Sequence, residues 1–460
     1  MKKSSKPRAR GSIEAAAVNA ITAKGRLLAD EERLDPAHTA LVLIDIQNDF
    51  CDSAGVFGRL GADLGVMAPM AERTRVLLDA ARNRGMLIVF VRATYDGEVL
   101  SGPLAETYHR RGFIHSQCPE GSFGADWYAG LAPNPRSPHE VVVTKHRFSA
   151  FCGSDIDLYL RANAIRSIVF TGVVTSGCVE STLRDAFFRD YYVVCASDCV
   201  AEASAARHGA ALHKIEQAFG AVHDAETIAA IWQRSASSRP RFSAEAKRER
   251  ALRDLAAQLD PAHCALALID LQRDFCSADG ALGRAGADLA AIAAAVKQAA
   301  KLLAAARASG MRVIHIRTEH NEASASEVSL LTGDGAAWCN AGIRGAEFVP
   351  EIAPRPGEWV VIKRRPSAYV DTRLDLLLRS NGLRCMLVGG VETPSAIEST
   401  VRDAAARDYY AVVAREAVAA RGARMHLHAA SLETMAHYFA NCHAMAEILP
   451  ALAAHASATA

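Results

Sequence analysis

Three residues in the first half of the chain carry side chains that suit a base, a cation and a nucleophile: Asp45, Lys145 and Cys178. Each stands at or just past the end of an apolar, β-branched run. Cys178 lies in Ile168-Val-Phe-Thr-Gly-Val-Val-Thr-Ser-Gly-Cys178-Val-Glu-Ser-Thr-Leu-Arg-Asp185, where the run 168–174 breaks at Thr175-Ser-Gly177 and a helical pattern begins. This reads as a buried parallel strand, a tight turn and a helix whose first turn holds the cysteine. Unpaired N–H groups and the helix dipole there favour a thiolate. The same N–H groups suit an oxyanion formed when the sulfur attacks a carbonyl. The Asp45 carboxylate can take the thiol proton and return it to a leaving amine, and the Lys145 ammonium favours both anions. Taken singly, each residue has a plain structural reading: Asp45 as a turn or cap, Lys145 as a solvated charge, Cys178 as a small buried hydrophobe. The chemical reading rests on their joint placement at strand ends.

The elements that must position them alternate in type. Strand-like runs at 40–44, 87–92, 140–144, 167–173 and 191–196 are separated by helical patterns at 67–84, 155–163, 178–189 and 205–219. Such alternation predicts an α/β domain whose parallel sheet is covered on both faces, with sites at the carboxyl ends of the strands. The unit then occurs again. Leu34-Asp-Pro-Ala-His-Thr-Ala-Leu-Val-Leu-Ile-Asp45-Ile-Gln-Asn-Asp49-Phe-Cys51 returns as Leu259-Asp-Pro-Ala-His-Cys-Ala-Leu-Ala-Leu-Ile-Asp270-Leu-Gln-Arg-Asp274-Phe-Cys276, an internal duplication. The expected organisation is a basic tail and helix over 1–33, a first domain over 34–233, a linker and helix over 234–258 and a second domain over 259–455. The linker is centred on the Ser-, Arg- and Pro-rich stretch 233–242, helices are expected at 12–33 and 244–258, and the tail 451–460 is expected to fray.

Composition narrows the function classes. The 460 residues are 50% hydrophobic and 22% charged, and 52 Lys and Arg balance 51 Asp and Glu. No global field draws the chain to nucleic acid or to an acidic membrane surface. No apolar stretch is long enough to span a bilayer, and the basic first ten residues lack a signal-peptide core. The eleven cysteines are scattered, with no CxxC pair, which fits reduced thiols in a cytoplasmic protein.

The order Asp, Lys, Cys, with Leu43-Ile-Asp45-Ile-Gln47-Asn-Asp49-Phe50, Thr144-Lys145-His-Arg-Phe-Ser-Ala-Phe151 and the Cys178 stretch, resembles the isochorismatase-like cysteine hydrolase superfamily over nearly all of both halves. The resemblance implies two tandem Rossmann-like α/β/α domains, each with a mainly parallel six-stranded sheet. It implies hydrolysis of a C–N bond in a small carboxamide, carbamoyl or ureido compound through a thioester, with Cys178 as nucleophile, Asp45 as base and Lys145 as supporting cation. It also implies a cis peptide before Val174, whose N–H would form an oxyanion hole with that of Cys178. The stretches around Lys145 and after Cys178 look most like the ureidoacrylate branch, and Thr175-Ser-Gly-Cys178 like the carbamoylsarcosine branch. Nicotinamidases of this superfamily carry an Asp-x-His metal motif after the second strand, where this chain has Arg92-Ala-Thr-Tyr-Asp96; no metal and no cofactor are therefore expected. Gln47, Arg147, Phe148 and Phe151 are candidates to meet the substrate, with a structural role as the alternative for the two aromatics.

The second copy keeps Asp270 and Lys363 but has Ala396 where the first has Cys178, inside Gly389-Gly-Val-Glu-Thr-Pro-Ser-Ala396. Ser395 is one place too early to replace the thiol. The second copy thus reads as a degenerate domain that packs, binds a ligand or regulates, the two halves forming an intramolecular pseudo-dimer that also allows a homodimer. The expected partner is a small-molecule amide or ureido substrate. A non-enzymatic ligand-binding or scaffold protein on the same fold is the rival reading.

Overall fold

The computed structural model describes residues 27–95, 98–110, 112, 117–236, 244–324 and 338–458. The chain divides into two compact units, Met1–Arg250 and Ala251–Ala460. In the first unit the strands are β1 (Thr39–Ile44), β2 (Leu87–Ala93), β3 (Glu140–Lys145), β4 (Ser167–Val173), β5 (Tyr192–Ala201) and β6 (Ala221–His223). They form one six-stranded sheet in the order β3-β2-β1-β4-β5-β6, every pair parallel. The second unit holds β7 (Cys264–Ile269), β8 (Arg312–Thr318), β9 (Trp359–Lys363), β10 (Cys385–Val391), β11 (Tyr410–Ala419) and β12 (Asn441–His443) in the equivalent order.

Strands β1 and β4 are buried along their whole length because the sheet is covered on both faces, which is why they read as unbroken apolar runs. Helices Met67–Asn83 and Ala225–Arg234 pack with β5 on one side, while Glu180–Phe187 and Ala205–Ala218 follow β4 and β5. The strand order turns between β1 and β4, and at such a turn the loops leaving the two neighbours run to opposite faces, which is where sites form at the carboxyl ends of strands.

Several boundaries differ from the sequence reading, each for a local reason. Cys178 does not open an α-helix: a wide, π-helical turn, Thr175–Val179, precedes the helix Glu180–Phe187. Strand β5 runs on to Ala201 past a register shift opposite Phe170 and Gly172. The expected helix 244–258 breaks into Ala244–Glu249 and Leu255–Gln258, the second capped by the Asp254 side chain. Of the expected helix 12–33, residues 12–26 lie outside the described residues, as do 237–243 of the linker, whose Gln233 and Arg234 end a helix. The tail does not fray from 451: helix Met445–Ala458 is pinned by the buried Ile448 and Leu452. Among the described residues no helix is long and apolar enough to cross a membrane.

At their carboxyl ends β4 approaches β1 closely. Gly172 has φ +112°, and a Cβ there would lie 2.0 Å from the Ile44 carbonyl oxygen. Gly390 repeats this against Ile269. Gly172→Ala is expected to cost about 2–6 kcal/mol in denaturant unfolding, combining backbone strain with overpacking. Gly209→Ala, in an exposed helix with nothing near its would-be Cβ, should instead stabilise by about 0.5–1 kcal/mol.

Candidate active site

Asp45 is the first residue past β1. Its amide still donates to Val91 O at 2.9 Å, but its φ of +52° turns the chain out of the sheet, and Gln47 N closes on its carbonyl at 2.7 Å. Aspartate tolerates this left-handed conformation better than most residues. Lys145 ends β3, two strands away, a separation of roughly 10 Å at ordinary strand spacing. Its side chain crosses the end of β2 over Ala93, the residue it faces in register, and reaches Asp45. The ion pair measures 2.8 Å from Nζ to Oδ2, with the two side chains 0% and 1% exposed.

The ammonium is held on other sides by the Cys178 thiol at 3.4 Å, the Arg147 carbonyl at 3.1 Å and the Tyr95 hydroxyl at 3.2 Å. The Asp45 carboxylate lies close enough to the Cys178 thiol for each to act on the other electrostatically. Asp45, Lys145 and Cys178 therefore meet in one buried cluster at the carboxyl ends of β1, β3 and β4. The peptide bond Val173–Val174 is cis, as is Val391–Glu392 in the second unit.

The electrostatics correct one expectation. Burial pushes the Cys178 thiol up to about 12, with Lys145 opposing and Asp45 reinforcing the shift. At neutral pH the resting sulfur is a thiol, because desolvation outweighs the turn and the ammonium. Burial also raises Asp45 above the ordinary carboxylate range, against the pull of Lys145. For Lys145, burial favours the neutral form, but the Asp45 charge and the hydrogen bonds to Asp45 and Cys178 reverse this and hold it raised and protonated. A carboxylate of raised basicity beside a neutral thiol and a fixed cation can take the thiol proton when sulfur begins to bond to carbon.

The candidate substrate contacts fare unevenly. Gln47 is engaged by the backbone instead. Fully buried, its amide donates to Ala93 O and Ala125 O at 3.1 Å each and accepts from Ala93 N at 2.8 Å, strapping β1 to β2. Phe151 is buried, its ring tilted against Tyr191 at 6.2 Å, with the Arg189 guanidinium 4.7 Å from its ring centre. Arg147 spends its guanidinium on Val99 O at 2.8 Å and His146 O, and so ties the loop after β2 beside Lys145. Phe148 is half-buried against the first core. Tyr95, not singled out from the sequence, is packed edge-on to Tyr108 at 5.4 Å, and burial keeps its hydroxyl protonated. Its signal was its place directly after the β2 run. Asp96 lies outside the described residues, and among the described residues no cluster of His, Cys, Asp and Glu is grouped to hold a metal.

The second unit keeps the ion pair and exchanges its third member. Lys363 Nζ lies 2.7 Å from Asp270 Oδ2, and Ala396 occupies the turn. Thr318, at the position of Ala93 and in register with Lys363, accepts from Lys363 Nζ at 2.8 Å and donates to Asp270 Oδ1 at 2.9 Å. The hydroxyl thus bonds both ions of the pair, where in the first unit the ammonium meets the Cys178 thiol and the Tyr95 hydroxyl. Comparing the repeats at the 225-residue offset (318 − 93) would have exposed this apolar-to-polar exchange. Thr318→Val keeps the shape and removes the hydroxyl; it should cost the second unit about 1–3 kcal/mol in chemical unfolding, by leaving a buried charged pair short of a partner. An unchanged unfolding midpoint would show that the hydroxyl is dispensable.

Comparison with known proteins gives the family of the chain. The model of the Isochorismatase domain matches residues 39–227 and again 264–447, together more than half of the chain. The ureidoacrylate amidohydrolase RutB of Cronobacter sakazakii (strain ATCC BAA-894) is 34% identical over 206 residues, which span 42% of this chain and 88% of that protein. Among solved structures, a cysteine hydrolase from Pseudomonas syringae pv. phaseolicola 1448A is 25% identical, covering 43% of this chain and 96% of its own, with a TM-score of 0.40. An isochorismatase family protein from Desulfovibrio vulgaris subsp. vulgaris str. Hildenborough is 34% identical, covering 42% and 98%, with a TM-score of 0.36. With the family's domain matched twice along its length, the chain belongs to the isochorismatase family as a tandem duplication of that domain.

Proposed function

We propose that the first repeat is a cysteine amidohydrolase that cleaves a C–N bond of a small carboxamide, carbamoyl or ureido compound. One observation carries the reading: a thiol, a carboxylate and an ammonium converge in a dry cluster at the carboxyl ends of β1, β3 and β4. The similarity to an enzyme named ureidoacrylate amidohydrolase favours ureido substrates within that class.

In this reading Asp45 removes the Cys178 proton as sulfur attacks the substrate carbonyl. The oxyanion is received by the N–H groups of Val174 and Cys178. Protonated Asp45 then gives its proton to the departing nitrogen, leaving an acyl or carbamoyl thioester on sulfur. Asp45 next activates water, which releases the acid or carbamate and returns the thiol. Lys145 stays charged throughout and offsets the negative charge shared between Asp45 and sulfur. The second repeat, whose ion pair is closed internally by Thr318, serves in this reading as a structural copy. The eleven unpaired cysteines favour a reducing compartment such as the cytosol.

Purified protein should release ammonia from one or more members of a panel of ureido acids, carbamoyl amino acids and simple amides. Release should vanish in Cys178→Ala and persist in chelator. No turnover on the panel, with ligand binding retained, would favour the scaffold reading. The pH profile gives a second check. Asp45 acts in its ionised form, and its folded value is raised, so kcat/KM should fall with decreasing pH at a point above the ordinary aspartate value of 3.8. An acid limb at or below that value would remove Asp45 from the role of base.

A further inference from the structure

Glu202 is the first residue past β5, beside the end of β4, where Val173 and Ala201 stand opposite each other. It is buried, its Oε1 pairs with the Arg207 Nε, and its Oε2 accepts the Ser176 amide hydrogen at 3.0 Å. Burial works against the charge of this carboxylate, but Arg207 and Ser176 prevail and hold it below the ordinary glutamate range. Ser176 belongs to the wide turn that carries Cys178. Within that turn the N–H groups of Gly177 and Val179 both donate to Val174 O, at 3.0 and 3.3 Å. The Ser176 N–H is satisfied from outside the turn, by Glu202. Thr175 makes a second outside contact, its hydroxyl lying 2.9 Å from His208 Nδ1.

The second repeat separates these two tethers. The Thr393–His428 contact is kept, at 2.8 Å. The other tether has lost both its members. Ser176 corresponds to Pro394 and Glu202 to Ala420, each at the same offset of 218 that relates Cys178 to Ala396 (394 − 176; 420 − 202; 396 − 178). Proline has no amide hydrogen to give, and alanine no carboxylate to receive one. In addition, Glu392 replaces Val174, and its carboxylate turns to Arg421 and Arg424. Donor, acceptor and nucleophile are thus present together in one repeat and absent together in the other. The histidine contact, common to both, belongs to the fold; the carboxylate contact goes with the thiol.

We propose that Glu202 is a positioning residue of the hydrolase reaction, holding the turn through the Ser176 amide so that the Cys178 sulfur and its backbone N–H keep their places relative to Asp45 and Lys145. The proposal rests on the amidohydrolase reading of the first repeat. A small displacement of a nucleophile has large kinetic effect, and the cost falls on kcat more than on KM, since the tether touches no substrate.

The test uses the full chain carrying Glu202→Ala, Glu202→Gln, Ser176→Pro and the Ser176→Pro/Glu202→Ala pair. Each is assayed for kcat and KM, for the rate and pH dependence of Cys178 alkylation by iodoacetamide, and for the unfolding midpoint. Glu202→Ala should lower kcat by about tenfold or more with KM changed by less than about threefold. Glu202→Gln, whose amide oxygen still accepts a hydrogen bond, should recover part of the loss. The double variant should be no slower than the slower single variant, because both changes remove one bond. A Glu202→Ala protein that keeps kcat within about twofold, or losses that multiply in the double variant, would overturn the proposal. If the wild type turns over nothing on the panel, the amidohydrolase reading fails by itself, and alkylation still decides on the tether. A changed alkylation profile in Glu202→Ala and Ser176→Pro alike supports it, and unchanged profiles overturn it.

Discussion

A lysine–aspartate ion pair from which water is excluded constrains both units. Moving two such charges out of water costs several kcal/mol for each ion, and their attraction offsets this only when the remaining donors and acceptors are occupied. Much of the local architecture serves that end. Asp45, itself left-handed, stands just past the end of one of the two central strands, and Lys145 ends an edge strand and reaches across the strand between. Gln47 straps the two intervening strand ends, while Tyr95 and the Arg147 carbonyl occupy the ammonium where Asp45 does not. In the first unit a thiol also meets the ammonium, and in the second a hydroxyl bonds both ions.

The same dryness shapes reactivity. A cysteine at the start of a helix in water would be an acidified thiol; Cys178, only 9% exposed, is held neutral instead. The same burial raises the neighbouring Asp45 carboxyl as well. A sulfur of this kind is protected from casual oxidation or alkylation, since the thiolate is the reactive form.

Much of this was legible in the sequence, because a doubly covered parallel sheet writes its strands as continuous apolar runs and puts its chemistry at their ends. Asp45, Lys145 and Cys178 followed from that rule, and the duplication followed from the matching of 34–51 with 259–276. The three-residue β6 carries too little pattern to be seen. Gln47 looked like a ligand because its partners are backbone groups of loops distant in sequence, and no spacing rule reveals those. Glu202 was hidden by the early end assigned to β5; with the strand carried to Ala201, the strand-end rule would have flagged it. The shift of Cys178 to a neutral thiol was out of reach of any motif, since it depends on how completely the surrounding chain excludes water.

The position occupied by Ala93 in one unit and Thr318 in the other has a consequence for how such domains diverge. A side chain there faces the bridging lysine in register, so a methyl makes no polar contact with the ion pair, whereas a hydroxyl bonds both ions. Once the hydroxyl has arrived, a cysteine restored at position 396 would find the ammonium and the carboxylate already engaged. The threonine thus adds to the changes at 392, 394, 396 and 420 in the passage from the first repeat's residues to the second's, each compatible with a folded domain. A tandem chain tolerates that passage in one half because the other half continues to carry the thiol.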